Sequence, residues 1–155
     1  MKKANIGAPE FSWDESDPPG FRAGMARLGS LLGATETGIT VYELPPGQGV
    51  CPYHYEVGEE EWLLVLDGAP TLRTPDGEQR LRRWDVVCFP RGPEGAHGIR
   101  NATEEPVRVL MFSSVVLPTA TVYPDSDKIG LWTGDPETDV LVRRSAKVDY
   151  YDGEA

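Results

Sequence analysis

From Gly38 onward, glycine and proline cut the chain into apolar runs too short for ordinary helices, and no other feature constrains the fold as strongly. Residues 39–44 read as a strand stopped by Pro45, Pro46 and Gly47. Strands follow over 51–56, 61–66 and 71–73, and Pro75, Asp76 and Gly77 turn the chain into a short strand over 78–81. Residues 85–89, 96–101 and 107–116 complete the series. Strands recurring every ~8–12 residues between such turns predict an all-β sandwich or jelly-roll barrel. The 17 glycines and 14 prolines are more than average usage supplies, and they favour turns over long helices.

The flanks read differently. Residues 1–37 form a polar N-terminal arm with Pro9, Pro18, Pro19 and Gly20, then a first strand or short helix. Met25, Leu28, Leu31 and Leu32 have helical spacing there, and Gly24 and Gly29 weaken it. The barrel core spans 38–117. The C-terminal tail, 118–155, mixes Pro124, Gly130, Gly134 and Pro136 with Trp132, Tyr150 and Tyr151, and is expected to pack on the barrel or on a partner. With 155 residues and no internal repeat, 1–155 is read as a single domain.

Charge narrows the function classes. A net charge of −10, from 15 basic and 25 acidic residues, argues against nucleic-acid and anionic-membrane surfaces. No apolar stretch approaches the ~20 residues of a membrane span. The start, Met1 to Asn5, leads into no apolar core of a signal peptide, so the expectation is cytoplasmic. Cys51 and Cys88 are then expected to be reduced and buried as small hydrophobes. Between Arg27 and Arg73 there is no Lys or Arg, yet Glu36, Glu43, Glu56, Glu59, Glu60, Glu61 and Asp67 lie in that stretch. Such a negative field suits a solvated face or a bound cation.

The two histidines favour the cation. His54 and Glu56 are two apart in a strand, so both face one way and can chelate a single ion. Val57 and Gly58 turn the chain back, and a carboxylate at the start of the return strand can reach the same ion. Glu61 has the right position, with Glu60 in reserve if the turn is a residue shorter. His97 would close the set from across the barrel. Two imidazoles with one or two carboxylates suit Fe, Mn, Ni or Zn as a divalent ion, with positions left for water or substrate.

These residues carry a resemblance to the cupin family. The family's first motif is Gly, five residues, His-x-His, three or four residues, Glu, six residues, Gly; this chain matches it at His54, Glu61 and Gly68. The second is Gly, five residues, Pro-x-Gly, two residues, His, three residues, Asn, matched at Pro90, Gly92, His97 and Asn101. Three departures stand out. Glu56 replaces the second His, Trp84 replaces the Gly that opens the second motif, and two extra residues separate Gly92 from His97. A 2-His-2-Glu set would bring a divalent ion to zero formal charge, favouring hard ions, or would mark a lost metal.

The resemblance implies a double-stranded β-helix with one divalent transition metal held by His54, Glu56, Glu61 and His97. It also implies a small-molecule cavity and a dioxygenase- or isomerase-type enzyme acting on an oxygen-rich molecule. Glu56, which departs from the motif, is available in such an enzyme as catalytic base in place of ligand. The alternative is a non-enzymatic small-molecule-binding barrel, with or without metal. No helix-turn-helix segment supports a DNA-binding regulator. A homodimer is expected, because the arm and the apolar tail residues need a surface to pack on.

Overall fold

Alternating burial explains the central strands: in β4 (Glu61–Asp67) Leu63 and Val65 are fully buried, and in β9 (Val107–Ser114) Val107 and Val109 are. The computed structural model describes residues 1–154. Strand β1 (Gly24–Arg27) leads into helix α1 (Leu28–Leu32), so the N-terminal segment holds both a strand and a short helix. Next come β2 (Thr37–Leu44) and β3 (Tyr55–Glu56). After β4 follow β5 (Thr71–Thr74), β6 (Gly77–Arg80), β7 (Val86–Phe89) and β8 (Gly98–Arg100). Beyond β9 lie β10 (Thr119–Tyr123), β11 (Lys128–Trp132) and β12 (Val140–Arg143).

These strands pair antiparallel in three sheets, ordered β1-β2-β9-β4-β7, β12-β11-β10-β3 and β6-β5-β8. The fold is mostly β and of the jelly-roll type. One core cluster fills the space between sheets, with Leu44, Leu63, Leu72, Ile99 and Val107 at its centre. A second lies on the opposite face of the five-stranded sheet. There α1 and the N-terminal arm cover Val41 and Leu110 with Leu28 and Phe11. That sheet is therefore apolar on both faces.

Three local readings change. Residues 51–53 are bends and not strand, and regular pairing begins only at Tyr55; Pro52 has no N–H to give a ladder. The tail is not merely laid on the barrel: β10 pairs with β3 through Thr121↔Glu56 and Val122↔Tyr55, extending strand pairing past residue 117. Cys88 is exposed and not buried, because β7 is an edge strand and Cys88 faces outward opposite Trp62. Cys51 is half-buried, and both thiols are free. Among the described residues no helix is long and apolar enough to cross a membrane.

Candidate metal centre

His54 and His97 face each other across an isolated antiparallel bridge, each backbone N–H donating to the other's carbonyl at 3.0 and 2.8 Å. The bridge sets their rings 4.6 Å apart. Phe89 of β7 stacks on His97 at 3.7 Å between centroids, and Tyr123 of β10 stacks on His54 at 5.9 Å. Glu61, the first residue of β4, puts Oε2 3.5 Å from Nε2 of His54 and 3.4 Å from Nε2 of His97. Each residue comes from a different segment, and each is fixed by sheet pairing or by aromatic packing.

The other ring nitrogens decide the tautomers. Nδ1 of His54 donates to the Pro52 carbonyl and Nδ1 of His97 to the Gly95 carbonyl, both at 2.9 Å. A carbonyl only accepts, so in each ring, when neutral, Nε2 is left as the acceptor. The two extra residues before His97 build the Gly95 contact: Pro93–Gly95 forms a 3-10 turn. A Cβ at Gly95 would lie 1.8 Å from the Pro90 oxygen, so no other residue fits that turn without displacing backbone. Outer carbonyl partners of this kind orient metal-ligating imidazoles.

Three acceptors thus converge, two imidazole nitrogens and one carboxylate oxygen, all within 4.8 Å of one another. Oε2 of Glu61 and Nε2 of His97 are buried with no hydrogen-bond partner. Buried acceptors facing one another are costly when left unpaired. A cation among them removes that cost, so His54, Glu61 and His97 could hold a divalent metal ion.

Protonation points the same way. Burial pulls His97 down to about 4, with His54 beside it adding to the effect. Burial also opposes a charge on His54, but Cys51 and Glu61 together outweigh it and push the group up to about 11. Glu61 is held below its ordinary range, since the two imidazoles overcome its burial. Glu61 thus favours a positive charge among the three groups, while burial opposes one on either imidazole.

Glu56 lies at the margin. Its Oε1 is 3.7 Å from Nε2 of His54, on the face they share, but it is not in the group of three. Burial raises its carboxyl to about 7, against the lowering effect of a hydrogen bond from Thr121. The reserve ligand is directed elsewhere: Glu60 accepts from the Trp62 indole at 3.0 Å. Glu59 accepts from the Val116 backbone at 2.9 Å. Asn101 is structural, its amide donating to the Leu44 and Glu105 carbonyls. Of the tail residues, sequence reading singles out Trp132 only for packing and Thr121 not at all; Thr121 meets Glu56 across 65 residues, and no local pattern marks it.

Comparison with known proteins agrees with this fold. The model of a family described as "Cupin domain" matches residues 40–113. The tetracenomycin polyketide synthase protein TcmJ of Streptomyces glaucescens is 32% identical over 89 residues, covering 57% of this chain and 58% of TcmJ. The match thus spans somewhat more than half of that relative's length. A provisionally named sugar phosphate isomerase of Acidithiobacillus ferrooxidans superposes with a TM-score of 0.77 at 26% identity, over 84% of this chain and 82% of the other. A sugar phosphate isomerase of Silicibacter pomeroyi reaches a TM-score of 0.81 at 22% identity, over 97% and 98%. The last of these speaks to the fold alone.

Proposed function

Since this chain belongs to the cupin superfamily, we propose that it is a metal-dependent enzyme that moves a proton beside a carbonyl group on a small, oxygen-rich molecule. One observation carries the reading: the three convergent acceptors of His54, Glu61 and His97, two of them buried without a partner. In this reading those three residues hold a divalent transition metal, which when bound supplies Lewis acidity toward a substrate oxygen. Two imidazoles and one carboxylate leave positions open for a bidentate oxygen ligand.

Glu56 supplies the base. Its carboxyl is raised to about 7, close to the optimum for a group that takes and returns a proton near neutral pH. It would remove a proton from the hydroxyl-bearing carbon next to the carbonyl and return it to the former carbonyl carbon, while the hydroxyl proton passes to the former carbonyl oxygen, which is aldose–ketose isomerisation. Tyr123, stacked on His54, walls the same side. The resemblance to a provisionally named sugar phosphate isomerase supports this substrate class. So does the relative named for polyketide synthesis, since polyketides are carbonyl-rich and enolise readily.

The test has two parts. Elemental analysis of tag-free protein should find a near-stoichiometric transition metal that is absent from His54→Ala and His97→Ala. A panel of α-hydroxycarbonyl compounds, sugar phosphates included, should then exchange a carbon-bound proton with D₂O, and Glu56→Gln should abolish the exchange. Substrate-dependent oxygen uptake without exchange would assign a dioxygenase instead. Ligand affinity with neither activity would leave a binding protein.

A further inference from the structure

Glu56 has an unusual tether. The Trp132 indole donates to Oγ1 of Thr121 at 2.7 Å, and an indole N–H can only donate. The one proton of the Thr121 hydroxyl is then directed at Glu56, whose two oxygens lie 2.8 and 2.9 Å away. The polarity of the chain is fixed, from Trp132 through Thr121 to the carboxylate.

Register builds this chain. On β10, Thr121 stands opposite Glu56 of β3 on one side and Gly130 of β11 on the other. A Cβ at Gly130 would lie 2.5 Å from Cζ2 of Trp132, so the missing side chain is the notch that lets the indole lie back toward Thr121. Thr121 itself is buried. The tethered carboxylate lies 3.7 Å from His54 and outside the mutual group of three.

We propose that Thr121 and Trp132 are positioning residues that hold Glu56 beside the His54–Glu61–His97 cluster and keep it from becoming a fourth protein ligand. The inference rests on the reading of that cluster as a metal centre. Without the tether, a carboxylate sharing a face with His54 swings onto a bound cation and displaces a water. With it, the centre keeps its open positions and Glu56 stays free to accept a proton.

The experiment uses the full chain, stripped and reloaded with Mn²⁺ alone, and counts metal-bound water by proton relaxation. Six-coordinate Mn²⁺ on three protein ligands carries about three waters. Thr121→Val, Trp132→Phe and Gly130→Val should each lower the count to about two, a loss of roughly a third of the inner-sphere relaxivity. Thr121→Ser, which keeps the hydroxyl, should behave as wild type. Glu56→Ala/Thr121→Val should not lose the water, because the swinging group is gone. Thermal melts identify any variant that fails to fold, and the remaining members of the set still decide the matter. An unchanged count in the folded tether variants, or an equal loss in the Glu56→Ala background, overturns the proposal while the metal centre stands. Failure of the wild type to bind Mn²⁺ or any other divalent transition metal overturns both.

Discussion

The two sheets that meet at the candidate centre are built in opposite ways. The five-stranded sheet is sealed on both faces, by the barrel core on one and by α1 and the N-terminal arm on the other. It delivers Glu61, and Phe89 from the same sheet clamps His97. The four-stranded sheet carries Glu56 on its two-residue strand β3, and all four residues of its outer strand β12 are exposed. The unpartnered acceptors are therefore fixed by dense packing, whereas the marginal carboxylate is held by a hydrogen-bond chain on a thinly packed sheet. Packing fixes the three acceptors; hydrogen bonds fix the carboxylate.

The largest expected effect strikes the packed side. His97→Ala removes a buried imidazole of the candidate centre and leaves a cavity under Phe89, so any bound metal should be lost and stability should fall by about 2–4 kcal/mol. Elemental analysis with urea unfolding of metal-free protein separates the two losses. Retained metal would mean that His97 only packs. Leu63→Ala, at a fully buried position of the same sheet, should cost about 3 kcal/mol while leaving metal content unchanged. A loss of metal in that variant would show that the centre is less rigid than the packing implies.

The same contrast explains what the sequence made legible. In the five-stranded sheet, alternation and the Gly and Pro turns marked β2, β4, β7 and β9 to within about two residues. The motif spacing marked His54, Glu61 and His97, which come from three different segments, whereas strand periodicity bore only on His54 and Glu56, and Glu56 lies outside the group of three. Thr121 and Trp132 left no such trace. A threonine in a strand and a tryptophan in a tail are ordinary residues until register brings them to Glu56. The outward face of Cys88 was equally hidden, since only the strand order shows that β7 is an edge.

A smaller effect isolates the peripheral side. In metal-free protein the Glu56 carboxyl sits at about 7, against an ordinary 4.5. Between these values the folded protein keeps a proton that the unfolded chain releases, so the contribution of Glu56 to stability falls as pH rises through this window. Glu56→Gln has no proton to lose. Relative to wild type it should gain about 1–2 kcal/mol between pH 4.5 and 7, allowing for partial solvent screening. Parallel urea curves at several pH values check this; a constant difference would mean that Glu56 is not strained by its surroundings.

Smaller again is the turn before β7, where Trp84 takes a left-handed conformation with φ of 74° that glycine adopts freely. It is the position where the family motif carries glycine. Trp84→Gly should relieve about 1 kcal/mol of backbone strain and lose about 0.5 from the contact with Arg83, whose guanidinium lies 4.6 Å from the indole. A small net gain in stability is expected, and a loss would show that the stack outweighs the strain.

The smallest effect tests how open the peripheral sheet is. Leu141 of β12 is 51% exposed and its neighbours Val140 and Val142 are nearly as open. A leucine that keeps half its surface in water loses little on becoming polar, so Leu141→Ser should change stability by no more than about 0.5 kcal/mol in dilute protein. The measurement belongs at two protein concentrations. A change that stays small at both keeps β12 as a solvated edge and confines the stability of the molecule to the sealed sheet. A loss that grows with concentration in the wild-type comparison would mean that a second copy covers this strand, as the apolar tail led one to expect. The four-stranded sheet would then be sealed by association where the five-stranded sheet is sealed by its own arm, and the tether on Glu56 would be stiffened by the partner's presence.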